Sequence, residues 1–148
     1  MRVVPHARGR AALGHAAHQT GHDHLRLDVE ARLDAEHGGL LYFTDLRGLP
    51  VQEYWHDMKF WWPHNEAIIG TLVAWQLTGE PRFAEMHRLV HEWSFAHFPD
   101  AVHGEWYGWL HRDGSVSSRA KGSMWKGPFH LPRCLWYCWR ELDADLQH

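Results

Sequence analysis

The chain has 148 residues, enough for one ordinary domain with a sizeable core. Its formal charge of -3 and pI near 6.6 give no electrostatic basis for a nucleic-acid partner or an acidic membrane. No apolar run is long enough for a signal peptide or a bilayer span, and two cysteines four apart, Cys134 and Cys138, make no disulfide framework, so the sequence reads as soluble and cytoplasmic.

Residues 1–33 form an atypical lead-in, rich in His, Ala, Gly and Arg and expected to be poorly ordered. His6, His15, His18, His22 and His24 crowd it without a metal-ligand spacing, so a solvated stretch is expected and no metal site. Leu25, Leu27, Val29 and Leu33 make no convincing helical stripe. From Asp34 to His148 the chain is dense, and it repeats. "HGGLLYF" starts at His37 and "HGEWYGW" at His103; a turn follows each, "DLRG" and "HRDG". "KFWWPH" then ends at His64 and "KGPFH" at His130, 27 residues after the opening histidine in both cases. Each unit reads as a Gly-led aromatic hairpin, a loop, and a helix opening at a Pro/His pair.

Helices are predicted in three places. After His64, Ile68, Ile69, Leu72, Val73 and Leu77 recur at helical spacing, and Gly79 before Glu80-Pro81 is a stop. Pro81 starts the next, with Phe83, Met86, Leu89, Val90 and Trp93 on one face. Leu131, Cys134, Leu135, Cys138 and Leu142 mark the last. Helices joined by long aromatic hairpin loops indicate an all-α chain, an α/α toroid. Two units cannot close a ring, so a fragment of an (α/α)6 barrel with short β-hairpins in its loops is expected, and its uncovered aromatic faces favour association between identical copies.

Ten tryptophans and fifteen histidines suit a wet, aromatic-walled pocket, because both side chains pair an apolar body with a polar edge. The notable polar set sits at the two loop–helix junctions: Lys59, His64 and Glu66 beside Trp61 and Trp62, then Lys126, His130 and Arg133 beside Phe129. Helix N-termini favour oxygen-rich ligands, imidazole exchanges protons near neutrality, and a guanidinium stabilises charge developing on oxygen. Singly, each has an ordinary structural role open to it. Glu66 suits a helix dipole, His130 can be a satisfied core histidine, Glu105 a strand-edge charge, and both cysteines read as core. Two matched junctions carrying different polar residues look like one scaffold with a site built on it.

"HGGLLYFTD", "KFWWPHNEA", "HGEWYGWLHRDG" and "KGPFHLPRCL" closely resemble the C-terminal part of the N-acylglucosamine 2-epimerase family, from about Asp34 to Leu142. The resemblance implies an (α/α)6 toroid that interconverts N-acylglucosamine and N-acylmannosamine without a metal or cofactor. It makes His130 one of two acid/base histidines and places Arg133 and Glu66 in the same sugar site. Lys59, Trp61, Trp62, His64, Glu105, Lys126 and Phe129 are the expected substrate-binding surround. The family's other acid/base histidine belongs to a "GHxxE" motif. Gly14-His15 and Gly21-His22 lack its spacing and its glutamate. Two rival readings stand beside this one. A glycoside hydrolase would use a carboxylate pair, here Glu66 and Glu105; an inactive homologue would bind a sugar or a partner without turnover.

Overall fold

The computed structural model describes residues 28–146, with side chains through residue 143. The histidines and Gly-His pairs of the lead-in lie outside the described residues. A helical turn at residues 28–32 comes first. Then follow β1 (Lys59–Phe60), α1 (Trp61–Thr78), α2 (Pro81–His97), β2 (Trp109–Leu110) and α3 (His130–Leu146).

Helix α1 is the centre of the molecule, packed between α2 and α3. It buries residues all round, from Trp61 and His64 through Ile68, Thr71 and Leu72 to Ala74, as a helix covered on several sides must. It opens at Trp61 rather than His64, with Pro63 in its first turn, where a missing N–H costs nothing. Gly79 ends it in the left-handed region (φ 67°), donating its N–H to the Trp75 carbonyl at 2.7 Å. Pro81 then starts α2, which buries Phe83, Met86, Val90 and Trp93 against the core. Burial of each such side chain contributes about 1.5–3 kcal/mol. The apolar stripes are only partly used: Leu77 on α1 and Leu135, Trp136, Trp139 and Leu142 on α3 stay exposed.

The repeat is visible in the backbone. Single bridges Leu33–Leu40 and Pro99–Trp106, 66 residues apart, close two tight turns. In the first, Gly38 N–H donates to Asp34 O and Asp34 N–H to Gly39 O; in the second, Gly104 N–H donates to Asp100 O and Asp100 N–H to Glu105 O. The Asp34 and Asp100 carboxylates cap the following N–H groups, those of Glu36 and His37 and those of Val102 and His103. These turns are not the extended hairpins expected within each unit. The paired strands run between units instead: β1 and β2 are antiparallel, Lys59 opposite Leu110 and Phe60 opposite Trp109.

The lead-in also ends earlier than composition suggests. Val29 is 2% exposed in the core and Leu33 bridges Leu40, so packed structure begins before residue 34.

Asp34 locks the two units together. Its buried carboxylate accepts from Lys59 Nζ at 2.9 Å, and from Arg112 Nε and Nη2 at 2.9 and 3.0 Å. Lys59 is fully buried and also donates to Gly38 O. The Arg112 guanidinium holds the Asp34 carboxyl well below the usual carboxylate range against the opposing effect of burial.

Candidate active site

An aromatic cavity of about 770 Å³ opens beside β1 and β2. Phe60, Trp61 and Trp62 bring one wall from the β1–α1 junction, and Trp109 faces them from β2. Tyr42 stacks on Phe60 with ring centroids 4.0 Å apart. The loop after β2 adds Ser117, Ser118 and Trp125, and His130 enters from the first turn of α3. Rings with hydroxyl and imidazole groups between them suit a ligand with apolar faces and a polar rim.

His130 and Arg133 lie one turn apart at the start of α3, so both project the same way. Glu66, in the second turn of α1, receives both: His130 Nδ1 lies 2.7 Å from Glu66 Oε1, and Arg133 Nη2 donates to the same oxygen. A carboxylate on Nδ1 makes that nitrogen the N–H donor and leaves the Nε2 lone pair available as a base. Trp62 and Trp61 stand against the imidazole, with centroids 5.9 and 6.3 Å away, and Phe129 meets its edge at 5.1 Å. The Arg133 guanidinium lies over the Phe129 ring at 4.8 Å. Trp61 Nε1 and Arg133 Nε are buried donors without a partner among the described residues.

His64 occupies the repeat position of His130 and has the opposite fate. It is fully buried, its Nε2 accepts the Leu40 N–H at 2.9 Å, and its Nδ1 donates to Phe60 O at 2.7 Å. Burial pushes its pKa down to about 3, although the Phe60 carbonyl acts the other way. It stacks on Trp93 and does not line the cavity. Lys59 is likewise withdrawn to Asp34. Glu105 and Lys126 are paired with each other at 2.9 Å, and the Lys126 ammonium lies 5.8 Å from the Trp61 ring centre.

Of the residues singled out in sequence, His130, Glu66 and Arg133 therefore meet, with Trp61, Trp62 and Phe129 around them. His64 and Lys59 serve the core. Sequence reasoning passed over Tyr42, Phe60, Trp109 and Trp125 as wall residues, although all but Trp125 stand in the quoted aromatic motifs. Ser117 and Ser118 carry no sequence signal. Among the described residues no group of three or more His, Cys, Asp or Glu is placed to hold a metal ion, and no helix is long and apolar enough to cross a membrane.

Residues 15–132 match the sequence model of N-acylglucosamine 2-epimerase (GlcNAc 2-epimerase). The chain is 44% identical over 124 residues to the N-acylglucosamine 2-epimerase of Mus musculus, covering 83% of this chain and 29% of that protein. Its fold matches cellobiose 2-epimerase from Spirochaeta thermophila with a TM-score of 0.68 and 28% identity, over 82% of this chain and 29% of that one. A D-mannose isomerase matches with a TM-score of 0.70 and 20% identity, over 78% of this chain and 29% of that one, a likeness of fold. The chain thus spans under a third of the length of these relatives, as a fragment of an α/α toroid. By the family-model match over residues 15–132 and the 44% identity over 83% of its length, the chain belongs to the N-acylglucosamine 2-epimerase family.

Proposed function

We propose that the cavity binds an N-acylglucosamine or N-acylmannosamine in its ring-opened form, and that His130 exchanges the proton at C2. The observation that carries this reading is the single Glu66 oxygen shared by His130 and Arg133 at the aromatic wall. In the open sugar the C2 proton is acidified by the neighbouring C1 carbonyl. His130 Nε2 takes it, the electron pair moves onto the carbonyl oxygen, and an enolate forms with the acylamino group still on C2. The Arg133 guanidinium stabilises that oxygen, while Glu66 holds the imidazole in its tautomer and balances the imidazolium. Trp61 and Trp62 supply faces for the sugar's C–H surface.

Inversion requires return of a proton to the opposite face. Among the described residues His130 is the only imidazole on the cavity, so those residues supply one face of the reaction. Deuterium uptake at C2 of N-acetylmannosamine in heavy water tests the proposal. The chain should exchange the proton, and His130→Asn should abolish the exchange. Uptake that persists unchanged in the folded variant would remove His130 from the chemistry. The carboxylate-pair alternative finds less support, because Glu66 is tied to His130 and Arg133 and Glu105 to Lys126.

A further inference from the structure

The two repeat turns share a left-handed backbone position that glycine fills in one and glutamate in the other. Gly39 adopts φ 67° in the first; its counterpart Glu105 adopts φ 62° in the second and is the one non-glycine residue with positive φ among those described. Glycine takes this conformation freely, whereas a side-chain-bearing residue is strained there. The first turn needs glycine for a second reason, since a Cβ at Gly39 would come within 2.7 Å of the Trp93 ring. At the second turn Gly104, the twin of Gly38, has nothing within 4 Å of an added Cβ. By its φ alone glycine would suit position 105, yet the chain holds a glutamate there against its backbone preference.

The side chain explains the exception. Glu105 Oε1 accepts the Trp106 N–H at 2.9 Å and Lys126 Nζ at 2.9 Å. Lys126 is buried, with a side chain 3% exposed, and its other partner is Lys121 O at 3.0 Å. Its backbone closes the same segment: Ser123 N–H donates to Lys126 O, and Ser123 Oγ accepts the N–H groups of Trp125 and Lys126. The Lys126 stem packs where a Cβ on Gly108 would lie, and its ammonium faces Trp61. Trp61 and Trp125 both line the cavity.

We infer that Glu105 is a positioning residue: through Lys126 it pins segment 121–126 and Trp61, and so fixes the cavity wall beside His130 without touching the sugar. This rests on the sugar reading only for what the cavity binds, not for the latch. Without the carboxylate, a buried ammonium is left on one carbonyl and is drawn toward water.

The test compares Glu105→Gly, Glu105→Ala and Glu105→Gln in the full chain. Amide hydrogen exchange in residues 121–126 should accelerate on the order of tenfold in the Gly and Ala variants, and less in Gln, which keeps an acceptor for Lys126. Exchange in α2 should not change. Only Gly removes the strain, so its Tm should exceed that of Ala. N-acetylmannosamine binding, followed by tryptophan fluorescence, should weaken in Gly despite that higher Tm. Unchanged exchange in 121–126, or faster exchange throughout with Tm falling equally in Gly and Ala, would overturn the inference. A wild-type chain that binds no N-acetylmannosamine would sink the sugar reading, while the exchange data would still decide the latch.

Discussion

His130 and Glu66 are joined by a 2.7 Å contact between Nδ1 and Oε1 across 64 residues of sequence. The repeat counterpart, His64, has both ring nitrogens committed to backbone groups. One imidazole thus keeps a free nitrogen at a cavity, and its twin keeps none.

Substitution within the cluster should separate the roles. His130→Asn and Glu66→Gln should each lower C2 exchange by about 10²–10⁴-fold, the usual contribution of a positioned acid/base group, with the far-ultraviolet circular dichroism unchanged. Arg133→Lys should also be costly, because an ammonium cannot reproduce a planar fork. A loss of helical signal in His130→Asn would instead mark that histidine as a packing residue.

Asp34 should dominate stability. Asp34→Ala leaves fully buried Lys59 without its counter-charge and should cost about 3–5 kcal/mol in urea unfolding. Arg112 is 42% exposed, and Lys59 still neutralises Asp34 without it, so Arg112→Ala should cost clearly less than Asp34→Ala. Equal losses for the two would show that the guanidinium, rather than the buried ammonium, sets the cost.

The chain should be acid-sensitive well above carboxylate titration. Unfolded, the His64 imidazole binds a proton near pH 6.5; folded, it stays neutral to about pH 3. The unfolded state therefore holds more protons between these values. Stability from His64 is complete above pH 6.5 and falls below it by ~1.4 kcal/mol per pH unit. Burial also lowers the pKa of His87, which adds to the slope in the same direction. Urea midpoints from pH 7 to pH 4 should show the decline, and a flat profile would contradict the neutral, buried state of His64.

The two Gly turns should respond unequally to alanine. Gly39→Ala meets both the Trp93 ring and a left-handed backbone, and should cost roughly 2–4 kcal/mol. Gly104→Ala meets open space and should cost only about 1 kcal/mol for the backbone. Thermal melts of both variants measure the difference.

Helices were legible because their signals are local. Period-3.6 apolar spacing and the Gly79-Glu80-Pro81 punctuation need no knowledge of the rest of the chain. The His130–Glu66–Arg133 grouping was legible through motif resemblance. The fates of His64 and Lys59 were not. Each sits in a junction motif beside cavity-lining Trp61 and Trp62, and what buries it lies elsewhere: the Leu40 N–H and Trp93 for His64, Asp34 for Lys59. A lysine ordinarily stays in water, so no local rule places one in a core. The β1–β2 pairing was hidden as well, since two-residue strands show no alternation to read.

The Asp34 lock also sets a timetable for synthesis. Lys59 follows Asp34 by 25 residues and Arg112 by 78, so the carboxylate gains its partners in two instalments. At ordinary translation rates Arg112 leaves the ribosome roughly 4–16 s after Asp34. Until then β1 lacks its strand partner and Trp61 lacks Trp109, and α3 follows later still. During that interval the nascent first unit presents a sheet edge beside bare aromatic rings, a surface that suits a chaperone.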